Sequence, residues 1–182
     1  PGVWTNRKSI TIDHTQVAAA VTGFPVLISI TDANLQATAR SDGGDIVFTS
    51  ADGATKLNHE IERYNNVSGQ LVAWVNVPSL SAAGDTVLYL YYGNPSAPSQ
   101  QNPAAVWDSN YKGVWHFGNG SNFTTDSTGK AGPAGNHNGV VAAAARIDQG
   151  ASFNGSSSYL TSPGSAISTF TAQAWVRTTT VN

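Results

Sequence analysis

The sequence predicts an all-β protein built as an antiparallel β-sandwich of jelly-roll-like type, followed by a second sandwich that looks incomplete. Three observations lead there. Short runs of β-branched and aromatic residues recur roughly every ten residues, the spacing of sandwich strands. Turn clusters such as Asp42-Gly43-Gly44, Asp52-Gly53, Ser68-Gly69, Ala83-Gly84-Asp85 and Gly93-Asn94-Pro95 separate them. Only Asp32–Arg40 reads as a helix, with Asp32 as its cap.

The elements follow in order. Ser9–Ile12 alternates polar and apolar residues. Phe24–Ile30 is a near-continuous apolar run whose Pro25 sits near its start, where a strand tolerates proline. Asp45–Thr49, Lys56–Tyr64, Leu71–Val77 and Thr86–Tyr92 follow. In the fifth run Leu71, Ala73, Val75 and Val77 face one way, and Val72, Trp74 and Asn76 the other. Apolar groups on both faces predict a central strand. Tyr89 and Tyr91 share one face of the next run, and Tyr92 takes the other. Residues 93–112, with Pro95, Pro98 and Pro103, form a boundary or an exposed crossover. Beyond it Val114–Phe117, Arg146–Phe153, Ser158–Thr161 and Phe170–Arg177 are read as strands.

Composition narrows the class. The chain has 182 residues, 11% of them charged, with a net charge of -2. A typical soluble domain has about 25% charged residues. The balance is made up by Ser, Thr, Asn, Gln, Gly and Ala, a surface suited to an extracellular β-protein. The nine basic residues are scattered, which argues against nucleic acid as a partner. No run is long and apolar enough to span a membrane. With no cysteine, disulfides, thiol catalysis and thiolate metal sites drop out. A chain that starts at Pro1 is read as processed or excised from a longer product.

Two stretches resemble known families. The first carries Trp4 with Arg7–Ile12, Phe24–Leu27, Asp42–Phe48, His59–Glu62, Ala73–Pro78 and Leu88–Asn94. In order and spacing these resemble the DUF2341 family, a module of unknown function in large secreted bacterial and archaeal proteins. The second carries Gly113–Phe117, Asp126–Gly129, Ala151–Gly155 with Tyr159-Leu160, and Phe170–Arg177. It resembles the opening of a laminin-G-like, concanavalin-A-like jelly roll. The resemblance implies two units, residues 1–110 and 111–182. The second ends before the strands that would complete it. Either the chain is a fragment, or a partner supplies strands, or both stretches share one core. In the last case a single sandwich spans them. The Phe170–Arg177 strand is expected to be covered by another molecule or by the Trp107–Gly113 crossover.

The chemistry-bearing residues are few. Glu60 and Glu62, at i and i+2 on a strand, share a face. Paired carboxylates suit glycoside hydrolysis, but no third acid follows at the expected step, and the reading is of a protein that is not an enzyme, with no catalytic residues. Asp42, Asp45 and Asp126 lie in turns and are the calcium candidates, against the alternative that they only shape those turns. Otherwise no cofactor is expected. The histidines show no metal-binding spacing, and His116 reads as a packed strand residue. Trp74, Trp115 and Trp175 read as core. Trp4, Tyr64, Trp107 and Tyr111, near strand ends or in the crossover, are the candidate ligand-binding residues, since sugar sites use exposed aromatic faces with a few placed polar groups.

The expected function is a carbohydrate-binding or adhesive module of a large secreted or cell-surface bacterial protein, with a polysaccharide or cell-surface glycan as partner. The alternative is a structural subunit of an extracellular fibre, joined to neighbouring domains or subunits by strand pairing. A hydrolase acting through Glu60 and Glu62 is the third reading.

Overall fold

The computed structural model describes residues 3–118, 123–163 and 168–178. They form an all-β, antiparallel sandwich with one short helix. The strands are β1 (Asn6–Ile12), β2 (Val21–Thr31), β3 (Val47–Ser50), β4 (Lys56–Leu57), β5 (His59–Asn65), β6 (Gln70–Leu80) and β7 (Thr86–Tyr92), then β8 (Gly135–His137), β9 (Val141–Ala144), β10 (Gln149–Ser152) and β11 (Tyr159–Thr161). The helix α1 (Ala33–Thr38) starts where Asp32 accepts hydrogen bonds from the Asn34 and Leu35 N–H groups, the side-chain cap the sequence signals.

One sheet runs β1-β7-β3-β4 and the other β2-β6-β5. Their inner faces interlock. From the first sheet come Ile10, Ile12, Phe48, Leu57, Leu88, Leu90 and Tyr92. From the second come Ile28, Leu71, Ala73, Val75 and Val77. Each of the fully buried leucines is worth about 1.5–3 kcal/mol relative to exposure. β6 is central in its sheet, as two apolar faces require. His59 is buried in this core, edge-on to Phe48 at 5.2 Å between ring centres. Its Nε2 has no hydrogen-bond partner, and burial pushes its pKa down to about 4.

The second stretch departs from expectation. Its described strands pair as two small antiparallel units, β9 with β10 and β8 with β11. Val114–Phe117 is irregular rather than a strand, and Phe117 takes a left-handed φ of 53° directly after His116. Residues 168–178 form no strand, and Trp175 is 80% exposed rather than core. Apolar alternation there is not enough, because a strand needs a neighbour to accept its backbone hydrogen bonds. The Trp107–Gly113 crossover covers the outer face of the β2-β6-β5 sheet instead.

Candidate functional site

That outer face carries the densest polar chemistry of the described residues. Glu60 stands opposite Trp74 in the β5–β6 ladder. A bulge follows: Ile61 faces Ala73 and Arg63 faces Val72, which leaves Glu62 as the extra residue. A bulge re-aims side chains, so Glu60, Glu62 and Arg63 all reach the outer side. Glu62 accepts a hydrogen bond from Trp74 Nε1 at 2.7 Å, and Arg63 reaches Asp148 at 3.0 Å.

The crossover lays Trp107 on Trp74, with ring centres 5.3 Å apart, and Trp107 Nε1 donates to Glu60 at 3.0 Å. Tyr111 packs edge-on to Trp107 at 5.1 Å. His116 then inserts its ring between the two carboxylates. Its Nε2 lies 3.2 Å from Glu60 and its Nδ1 3.3 Å from Glu62. Ser127 Oγ donates to the other Glu60 oxygen at 2.5 Å. Lys130 holds the loop from below, donating to the Trp107 and Tyr111 carbonyls at 3.2 Å each and to that of Asp108.

Both nitrogens of an imidazolium are donors, so two carboxylates suit the charged form. Burial opposes that charge on His116. The hydrogen bonds and attraction of Glu60 and Glu62 outweigh it and raise the pKa to about 9. Burial likewise pushes the Glu60 carboxyl up, but His116, Ser127 and Trp107 hold it below its ordinary value. Chemically this is a clamp. Glu60 takes His116, Trp107 and Ser127, and one oxygen of Glu62 takes Trp74 and His116.

Buried His59 and half-buried His116 together are expected to give a pH optimum. His59 is depressed from 6.5 to about 4, so the unfolded chain binds the extra proton between those values and stability falls as pH drops through that window. His116 is raised from 6.5 to about 9, so its contribution is whole below 6.5 and is lost as pH rises toward 9. The two slopes cancel near 6.5. Unfolding free energy from urea titrations is expected to peak there and to fall on either side by up to roughly 1.4 kcal/mol per pH unit. A curve that is flat from pH 6.5 to 9 would contradict the clamp.

The structure brings Trp107 and Tyr111 together and places the other candidates apart. Trp4 donates from its indole to the Asp45 carbonyl at 2.6 Å, and Tyr64 from its hydroxyl to the Leu35 carbonyl at 2.9 Å while packing against the core. The three candidate calcium aspartates spend their oxygens on N–H donors. Asp42 takes Gly44 N–H and the Arg40 guanidinium. Asp45 takes the N–H groups of Arg40, Gly93 and Asn94. Asp126 takes those of Val114, Thr128, Ala131 and Gly132.

Sequence reading missed the partners of the acids. His116 and Ser127 are remote from Glu60 in the chain and sit in irregular backbone. It also missed an exposed knot at the other end, where His14 Nδ1 lies 2.6 Å from Asp85 with Asp13 alongside.

Beside the clamp a polar cleft of about 620 Å³ opens between β5 and the β9–β10 hairpin. Glu62, Arg63, Tyr64, Asn65 and Asn66 form one wall, and Ala144, Asp148 and Gln149 the other. The Arg63–Asp148 ion pair ties the two walls together.

No curated protein and no solved structure matches the chain. Residues 42–129, the stretch that supplies every side chain of the clamp, match the family described as domain of unknown function (DUF2341).

Proposed function

We propose that this chain is a non-catalytic carbohydrate-binding module of a secreted or cell-surface protein, and that the cleft between β5 and the β9–β10 hairpin is its glycan site. The laminin-G-like reading of residues 111–182 belongs to the same proposal. The observation that carries it is the lining of the cleft. Amide side chains from Asn65, Asn66 and Gln149, with the paired charges of Arg63 and Asp148, line a space large enough for a small ligand. A planar amide presents a donor and an acceptor side by side, and the Arg63–Asp148 pair presents N–H donors beside carboxylate acceptors, which suits the adjacent hydroxyls of a sugar.

The test is a glycan array followed by titration calorimetry on the best polysaccharide. Asn66→Ala and Gln149→Ala are expected to weaken binding about tenfold each, the effect of losing roughly 1.4 kcal/mol of hydrogen bonding. Asn66 is exposed on a turn and Gln149 lies on a short peripheral strand, so both variants should keep the wild-type circular dichroism. Wild-type protein that binds nothing on the array would overturn the reading.

One observation favours the strand-exchanging subunit as a second reading. Phe170, Trp175 and Val176 are 67–80% exposed in a segment that makes no strand, and such apolar surface invites association.

A further inference from the structure

The outer face of the β1-β7-β3-β4 sheet holds a second arrangement, remote from the cleft and independent of it. Register places Arg7 beside Tyr91 and Ser9 beside Tyr89. The Arg7 guanidinium lies over the Tyr89 ring, 4.5 Å from its centre, and 6.0 Å from that of Tyr91. The two rings are themselves 6.4 Å apart and edge-on. Tyr91 is fixed in turn, since its hydroxyl donates to the Gly53 carbonyl at 3.2 Å.

The charge on Arg7 is set on aromatic rings rather than on a carboxylate. Arg40 and Arg63 each meet a carboxylate, Asp42 and Asp148. Among the described residues Arg7 meets none. Its one side-chain hydrogen bond is a long contact of 3.5 Å to the Tyr91 hydroxyl. Asp52, on the turn next to Gly53, is already engaged by Ser50, Ala54 and both donors of Thr55. A guanidinium stacked on an aromatic ring has its plane set in advance and its N–H fork still open. That fork matches a carboxylate bidentately. Exposed Ser9 and Thr11 continue the same face along β1, with hydroxyls at the spacing of alternate strand residues.

We propose that this face is a binding site for a carboxylate-bearing polysaccharide. The sugar carboxylate meets the open fork of Arg7, the ring packs beside Tyr89 and Tyr91, and neighbouring hydroxyls meet Ser9 and Thr11. The partner is a uronate rather than a neutral glycan, because the one uncommitted group here is a cation.

The probe is polygalacturonate, with its fully methyl-esterified form as the neutral control, measured by titration calorimetry at low and high salt. Wild-type protein should bind the acid form, bind the ester at least tenfold more weakly, and lose affinity as salt rises. Arg7→Ala should reduce binding of the acid form at least tenfold. Arg7→Lys, which keeps the charge but not the fork, should recover only part of that loss. Tyr89→Ala should act in the same direction. Arg7 is exposed on an edge strand, so the Arg7 variants test binding rather than folding, and Tyr89→Ala is compared at equal folded fraction by circular dichroism. Asn66→Ala and Gln149→Ala should leave this interaction unchanged, which keeps it separate from the cleft. Equal binding of acid and ester, or wild-type affinity in Arg7→Ala, would overturn the proposal.

Discussion

Replacing His116 with leucine should lower the unfolding free energy by roughly 3–5 kcal/mol, the cost of stripping the partner from a buried ionic group. The leucine is close in size but leaves two carboxylates facing an apolar side chain. Both are nearly withdrawn from water: the side chain of Glu60 is 12% exposed and that of Glu62 4%. Ser127, Trp107 and Trp74 would still donate to them, but neutral donors do not balance two negative charges. The remedy identifies the cause. Adding Glu60→Gln and Glu62→Gln to His116→Leu removes the charges, and most of the loss should return. Urea unfolding near pH 6.5 measures all three proteins. If the triple variant is no better than His116→Leu alone, packing of the ring rather than charge holds the crossover down. Proteolysis gives a second readout. With the clamp gone, cleavage between Trp107 and Lys130 should precede cleavage anywhere in β1–β7, since exposed loops released from their contacts are cut first.

Asp45→Ala should cost about 3 kcal/mol or more. Asp45 is completely buried. One oxygen takes the Arg40 N–H at 3.0 Å, and the other takes the Gly93 and Asn94 N–H groups at 2.7 and 2.9 Å. Alanine would orphan three backbone donors at once, each worth about 1–3 kcal/mol when left unpaired in the interior. No backbone adjustment can easily rescue them. Gly93 sits at φ 87°, and even a methyl group there would fall 2.3 Å from the Thr5 hydroxyl. Asp45→Asn keeps an acceptor at one position and should lose less. Thermal unfolding of wild type, Asp45→Ala and Asp45→Asn measures these losses. A midpoint for Asp45→Ala within a degree or two of wild type would refute the account.

The strands up to β7 were legible in the sequence as six runs, with Lys56–Tyr64 read as one strand where the structure divides it into β4 and β5. β6 alternates Leu71, Ala73, Val75 and Val77 against Val72, Trp74 and Asn76, and its two apolar sides meet two different coverings, the facing sheet and the crossover. α1 was legible from its cap. The site was half legible. Glu60 and Glu62 were expected on one face, and both do reach His116, but the bulge that leaves Glu62 unpaired has no mark in the sequence. Nor does the pairing itself. His116 and Ser127 lie 56 and 67 residues beyond Glu60, in backbone with no period to read. Phe170–Arg177 failed for the opposite reason. Its alternation is that of a strand, but alternation says which side is apolar and not whether a neighbour exists to pair with it.

The pairing of β1 with β7 bears on how the chain reaches its fold. Asn6 lies opposite Tyr92 and Ile12 opposite Thr86, so the first strand has no partner until the Thr86–Tyr92 segment is available. β3 waits for the same strand, since it joins its sheet through β7. The sheet of β2, β6 and β5 can close earlier, once Leu80 has emerged, but its inner face of Ile28, Leu71 and Val75 then stands open until Leu88 and Leu90 arrive. Pairing across such separations is slow, and an intermediate with an open apolar sheet is the species most exposed to misassembly. β7 is therefore the keystone of folding, because both β1 and β3 join their sheet only through it.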